Sequence, residues 1–207
     1  MHKIDELPIA FRKLREIGSV VEFGVFGDFI APREDVGFAV RATLPQTSSF
    51  KSTKLSEIDS RSIPRSEFFG DWFDSKAGAL IKVGRWRTAD GEELQNPLLK
   101  NLDDIKLDSG SCTLPDPGSG GQFAFALTRP PYPLRARPSE VQKLFEEVCL
   151  FLFPPLQKAE ITDWSSPKLP EVSDYFADGM EWWGVFLFTI YLPDLKRLTV
   201  IAASATD

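Results

Sequence analysis

Two segments of the chain repeat apolar residues at the three- and four-residue spacing of an amphipathic helix. One lies within residues 5–18 and the other within 139–152. The apolar positions that share a face are Leu7, Ala10, Phe11, Leu14 and Ile17 in the first, and Val141, Leu144, Phe145, Val148 and Leu152 in the second. Ser139 followed by Gln142 has the spacing of a capping box, which predicts the start of the second helix.

Other segments have the Val- and Phe-rich or alternating composition of β-strands. They cover residues 19–30, 36–44, 79–88, 122–128, 182–192 and 198–203. The first two are predicted to form a hairpin, and Asp90-Gly91 predicts another tight turn. The last two are apolar on both faces, so they are expected at the centre of a sheet. The pattern predicts an α+β fold: a largely antiparallel sheet of about six to eight strands with two main helices packed on one face.

The chain is expected to form a single domain, since 207 residues suffice for one continuous core and we find no internal repeat. Residues 108–122 are rich in glycine, serine and proline, which predicts a mobile loop. The proline-rich segment 129–138 is predicted to be a stiff connector. Residues 130–135 also fit P-x-x-P-x-R, a pattern that a polyproline helix can present to an aromatic groove.

A short helix is predicted within residues 64–75, and its charge pattern is unusual. Glu67, Asp71 and Asp74 fall at positions i, i+4 and i+7, so on a helix they would line one face, with Trp72 on the opposite, aromatic face. Such a row is most simply a solvated surface. Like charges at this spacing disfavour a helix slightly, which suggests a use for them. We therefore expect Glu67, Asp71, Asp74 and Trp72 to contribute to docking a basic partner.

Trp182 and Trp183 open the apolar segment 182–192. Successive residues of a strand point to opposite faces, so one indole is expected in the core and the other at least partly outside. An exposed tryptophan is a common anchor of protein interfaces. Trp182 is therefore a further candidate for partner binding.

Composition narrows the chemistry that the chain can perform. Its only histidine, His2, lies at the N-terminal tip, which removes most imidazole-based hydrolytic and zinc chemistry. The net charge of −6 disfavours nucleic acid and anionic membranes as partners. No apolar signal region follows the charged start, and Cys112 and Cys149 form no paired framework, so we expect a cytoplasmic protein. No cofactor or metal is expected.

These observations favour a non-catalytic, cytoplasmic protein-binding domain that acts through an acidic and aromatic surface. An immunity-type inhibitor of a basic toxin or enzyme has this profile, although only by analogy of composition. The alternative is a carboxylate-based, metal-dependent hydrolase, either a phosphodiesterase or a glycosidase. For that alternative, Asp104-Ile105-Lys106 matches the D-x-K end of a nuclease pattern. A small-ligand carrier lined by some of the 17 phenylalanines is a third hypothesis.

Overall fold

The computed structural model describes residues 1–30 and 33–205. Its strands are β1 His2–Lys3, β2 Val21–Gly27, β3 Arg61–Ser62, β4 Phe73–Asp74, β5 Ala79–Leu80, β6 Arg85–Thr88, β7 Glu93–Gln95, β8 Leu107–Ser111, β9 Glu160–Asp163, β10 Val185–Leu192 and β11 Arg197–Ser204. Its α-helices are α1 Ile9–Glu16, α2 Arg33–Thr43, α3 Ser52–Ser56, α4 Arg65–Phe69, α5 Phe123–Thr128, α6 Pro138–Leu152, α7 Leu169–Val172 and α8 Ala177–Trp182. The fold is therefore of the α+β class, as predicted.

The main sheet has six strands in the order β1-β2-β11-β10-β9-β3, and every neighbouring pair is antiparallel. The hairpin of β10 and β11 lies at its centre, which confirms the prediction made from its apolar character. Side chains along β10 alternate between two core clusters, with Phe186 and Phe188 in one and Val185 and Leu187 in the other. The sheet is therefore covered on both faces.

The two predicted main helices, α1 and α6, pack together on the same face of the main sheet. Helices α4 and α5 contribute phenylalanines to the same cluster. The opposite face is covered by residues of α2, α3 and α7. Two smaller sheets, β4-β5 and β7-β6-β8, lie outside the main one. Among the described residues, no helix combines the length and the apolar character needed to cross a bilayer.

Two of the predicted strands are helices. The prediction for 36–44 was wrong because Val36, Ala39, Val40 and Thr43 follow the i, i+3, i+4, i+7 spacing of a helix, and α2 buries Ala39, Val40 and Thr43. The hairpin expected there is absent from the described residues. The prediction for 122–128 was also wrong. Every residue of α5 from Phe123 to Leu127 is buried, and a short run buried on all sides carries no periodic signal.

Three smaller predictions also changed. The strand expected over 79–88 is divided into β5 and β6, which belong to different sheets, at Gly84 with φ +119°. Part of the loop expected over 108–122 forms β8, which pairs with β6. The capping box at Ser139 was wrong, since the Ser139 hydroxyl and amide both donate to Asp103. The turn at Asp90-Gly91 is confirmed between β6 and β7.

Candidate functional site

The acidic row predicted on a single helix is not formed. Helix α4 ends at Phe69, and Gly70 follows with φ +71°, a left-handed conformation that stops the helix. Asp71 and Asp74 therefore lie beyond the helix and do not continue the face of Glu67.

Asp74 has a local structural role. Its carboxylate accepts hydrogen bonds from the amides of Lys76 at 2.8 Å and Ala77 at 3.0 Å. These bonds, the Ala77 bond first, hold the pKa of the carboxyl below its usual value. Asp74 thus shapes the turn between β4 and β5, and it does not line the cleft that Glu67 and Asp71 share.

Trp72 is a core residue, so the prediction that it contributes to a binding surface was wrong. Its side chain is 2% exposed. The indole packs edge-on against Phe125 of α5, with 5.5 Å between ring centroids, and the Arg129 guanidinium lies 5.6 Å from the ring centre. Tertiary packing against α5 buries it, and its position beside two acidic residues gave no sign of that.

Glu67 and Asp71 both line a cleft of about 860 Å³ between α4 and residues 119–122. We call it the α4 cleft. Its walls carry two arginines, two carboxylates, three serines, an aromatic pair and the glycine-rich loop: Arg61, Arg65, Ser66, Glu67, Phe69, Gly70, Asp71, Phe73, Ser75, Ser119, Gly120, Gly121 and Gln122. A cleft of this size is within the range that encloses small ligands.

A buried carboxylate holds one wall of the α4 cleft in place. The Asp163 side chain is 1% exposed and accepts hydrogen bonds from the amides of Gly121 at 2.8 Å and Ser165 at 2.9 Å. The Arg61 guanidinium lies 3.4 Å from the same carboxylate and 2.5 Å from that of Glu67. Arg61 therefore joins the loop anchor to α4, and both of its acidic neighbours compensate its charge.

The glycines of this wall are required by its shape. Gly118, Gly120 and Gly121 all have positive φ, as does Gln122 at +66°, and glycine adopts this conformation at the least cost. A Cβ on Gly121 would lie 2.6 Å from the Glu67 carbonyl oxygen, and one on Gly120 would overlap the Asp163 carboxylate. The loop therefore approaches both α4 and β9 too closely for a side chain.

Gln122 closes the cleft against Asp71. The Gln122 amide nitrogen donates to the Asp71 carboxylate at 3.0 Å, and the Asp71 backbone amide donates to the Gln122 side-chain oxygen at 3.0 Å. This reciprocal pair joins positions that are 51 residues apart in the chain. The sequence reasoning missed Gln122, Arg61 and Asp163. Strand β9 has one apolar residue, Ile161, so no apolar pattern in the sequence marked Asp163 as buried.

The second region is centred on Trp182, which is 52% exposed, whereas Trp183 is 5% exposed. The prediction that one indole is buried and the other exposed is therefore confirmed, although Trp182 ends α8 and does not begin a strand. Trp183 stacks on Phe125 and donates through its indole nitrogen to the Arg129 carbonyl oxygen at 2.6 Å. That anchoring fixes the end of α8 and leaves Trp182 at the surface.

Other exposed apolar residues surround Trp182. Together with Tyr132, which is 63% exposed, and Leu114, which is 47% exposed, it lines a shallow depression of about 280 Å³ against the proline-rich segment. Asp178 and Glu181 are exposed on α8. We call these five residues the Trp182 surface. Asp178 lies four residues before Trp182, which places both on one helix face.

The proline-rich segment has its arginine occupied within the fold. Arg135 donates from its backbone amide to the Ile17 carbonyl oxygen at 2.8 Å and from its guanidinium to the Glu16 carbonyl oxygen at 2.9 Å. The P-x-x-P-x-R pattern therefore attaches the segment to the end of α1. Its Tyr132 remains at the surface.

Residues considered for catalysis have structural partners. Asp103, beside the D-x-K pattern, accepts from the hydroxyl and amide of Ser139, and these bonds lower the pKa of its carboxyl. Burial raises the pKa of the Cys149 thiol, which favours the unreactive protonated form. Within residues 1–30 and 33–205, no three histidine, cysteine, aspartate or glutamate side chains are grouped so as to hold a metal ion.

Two regions thus contain the residues predicted for partner binding: Glu67 and Asp71 in the α4 cleft, and Trp182 on its own surface. They share one support, because Trp72 behind the cleft and Trp183 behind the surface both pack on Phe125. Comparisons with protein-family models, curated proteins and solved structures found no match for this chain.

Proposed function

We propose that the chain is a protein-binding domain that docks a basic protein through the Trp182 surface. The observation that carries this proposal is the combination, on α8, of a half-exposed tryptophan with two exposed carboxylates. Neither Asp178 nor Glu181 has an ion-pair partner in the part of the chain that the structure describes. Both carboxylates are therefore available to a cationic partner.

The aromatic and acidic groups have different roles in such docking. Trp182, Tyr132 and Leu114 supply apolar area that binding would remove from water, and a tryptophan at the centre of an interface often dominates its free energy. Asp178 and Glu181 attract a positively charged surface and raise the rate of encounter. The net charge of −6 acts in the same direction over longer distances.

Inhibition by occupation is the form of action that fits this surface. A domain that covers the working face of a basic enzyme needs complementary shape and charge, and it needs no catalytic group of its own. An immunity-type inhibitor of a toxin in the same cell would act in this way. This finer assignment rests on the acidic charge of the chain and on the composition of the Trp182 surface.

The test is capture of partners on the immobilised protein from a lysate of the source organism, at low and at high salt. We expect one stoichiometric basic protein, retained at low salt and weakened by high salt, because exposed charges are screened. Trp182→Ala should abolish retention. The double variant Asp178→Lys, Glu181→Lys should also lower retention, and the loss relative to wild type should be larger at low salt than at high salt. Leu150→Ala is the matched control, since Leu150 is 62% exposed on α6.

Retention of the same protein by wild type and by Trp182→Ala would contradict the proposal, as would an acidic partner. A purified partner then allows a direct test of inhibition. As this chain is added up to an equimolar amount, the activity of the partner should fall to that of the fraction that remains unbound. The Trp182→Ala variant should leave the activity of the partner unchanged.

A further inference from the structure

The α4 cleft has a charge arrangement that the Trp182 surface lacks. Arg61 and Glu67 form an ion pair with each other, which leaves Arg65 and Asp71 as the other charged side chains on the walls. The Arg65 guanidinium lies over the Phe153 ring, 4.2 Å from its centre, and has no acidic partner within the described residues. Asp71 accepts from the Gln122 amide and forms no ion pair with any cation in the part of the chain that the structure describes. The cleft thus offers one uncompensated charge of each sign.

These two charges lie at opposite ends of one helix. Arg65 is the first residue of α4, and Asp71 lies beyond its last residue, after Gly70. A ligand with a carboxylate at one end and an ammonium at the other therefore matches the signs of both side chains.

The walls of the cleft also carry an aromatic pair and several hydroxyl groups. Phe69 and Phe73 are in ring contact, with 4.5 Å between centroids, and Phe73 is half-buried. They form an apolar patch where a ligand side chain can lie. The hydroxyls of Ser66, Ser75 and Ser119 also line the cleft and can bond to peptide groups.

From this geometry we propose that the α4 cleft binds a short peptide with free ends, its carboxylate on Arg65, its ammonium on Asp71 and an apolar side chain against Phe73. A phosphate or another dianion fits less well, because Glu67 and Asp71 would repel it. This site is separate from the Trp182 surface, and it does not depend on the function proposed for that surface.

The test is calorimetric titration of the full chain with Ala-Phe-Ala and with two blocked forms of the same tripeptide. The C-terminal amide lacks the carboxylate and the N-acetyl form lacks the ammonium. Each should bind about tenfold more weakly than the free tripeptide, since each loses one charge-assisted contact. Arg65→Gln should bind the free tripeptide and its amide equally, and Asp71→Asn should bind the free and acetylated forms equally. Arg85→Gln, an exposed arginine on β6, is the control and should retain the wild-type order.

Equal affinity for all three peptides would overturn the proposal, and so would the absence of binding at about 10 mM peptide. Inorganic phosphate is titrated as a competitor. Displacement of the peptide by phosphate that depends on Arg65 and does not depend on Asp71 would replace the peptide site with an anion site. Trp182→Ala should leave every one of these affinities unchanged, which distinguishes a failure here from a failure of the function proposed above.

Discussion

The α4 cleft and the Trp182 surface both combine aromatic and charged residues, but they differ in whether the charged side chains have partners within the fold. In the cleft, charges are constrained by neighbours: Arg61 contacts Glu67 and Asp163, and Gln122 holds Asp71. On the Trp182 surface, the carboxylates of α8 have no such partners among the described residues. A constrained, concave site favours a small ligand of defined length. An exposed patch with unpaired charge favours a macromolecular partner.

The largest effect is expected from a residue that supports both regions. Trp72→Ala removes a buried indole that packs on Phe125, and Phe125 in turn supports Trp183. We expect a loss of about 4 kcal/mol in the free energy of unfolding from the cavity that remains. Urea unfolding followed by circular dichroism measures it. Trp182→Ala is the matched control and should change stability by about 0.5 kcal/mol or less; similar losses in both variants would show that Trp72 is not a shared support.

The next effect should separate the two regions. Asp163→Ala removes the acceptor of the Gly121 and Ser165 amides and the buried partner of Arg61. We expect a loss of about 3 kcal/mol, because buried donors are left unsatisfied.

Hydrogen exchange measured by mass spectrometry locates the damage from Asp163→Ala. Exchange should rise in residues 118–122 and stay unchanged in α8. Asp163→Asn keeps an acceptor oxygen and should lose less stability than Asp163→Ala. Equal exchange at 118–122 in Asp163→Ala and in wild type would mean that the loop is held by other contacts.

The smallest expected effect is a change in how the Tm depends on pH when Asp74 is replaced. The amides of Ala77 and Lys76 lower the pKa of the Asp74 carboxyl in the folded state, so its contribution to stability is present above the unfolded pKa and is lost as the pH falls through the folded value. Asp74→Asn should therefore lower Tm at neutral pH, with a difference that narrows below about pH 4. Asp178→Asn, where the carboxylate accepts no hydrogen bond among the described residues, should show no such narrowing. A Tm difference for Asp74→Asn that stays constant from neutral to acid pH would contradict this role.

Parts of each region could be predicted from sequence, for reasons that are local. The exposure of one indole in the pair 182–183 follows from adjacent positions on one segment. The proximity of acids to aromatics in 67–74 was visible as well. The helical row was wrong because a single residue, Gly70, adopts a left-handed conformation and redirects the chain. Nothing in the row itself shows where a helix of five residues ends.

The residues that complete the two regions come from distant segments. Asp163 contacts Arg61 from 102 residues away, and Gln122 contacts Asp71 from 51 residues away. No periodic pattern links positions at such separations. Asp178 and Glu181 were missed for a different reason. The strand predicted over 182–192 begins at Trp182, whereas Trp182 ends helix α8, so the sequence analysis did not predict the i, i+4 relation of Asp178 to Trp182.

The sequence by itself determined the α+β class, the helices α1 and α6 and the central hairpin of β10 and β11. The two helices follow a long apolar periodicity, and the two strands are long segments that are apolar on both faces. Only the tertiary structure decided that 123–128 is helical and that Trp72 is buried. It also decided that the glycine-rich loop forms a wall against α4. Short apolar segments are compatible with helix and strand alike, and contacts with the rest of the chain select between them. The tertiary structure also determines the two candidate sites, because their side chains come together only after the chain has folded.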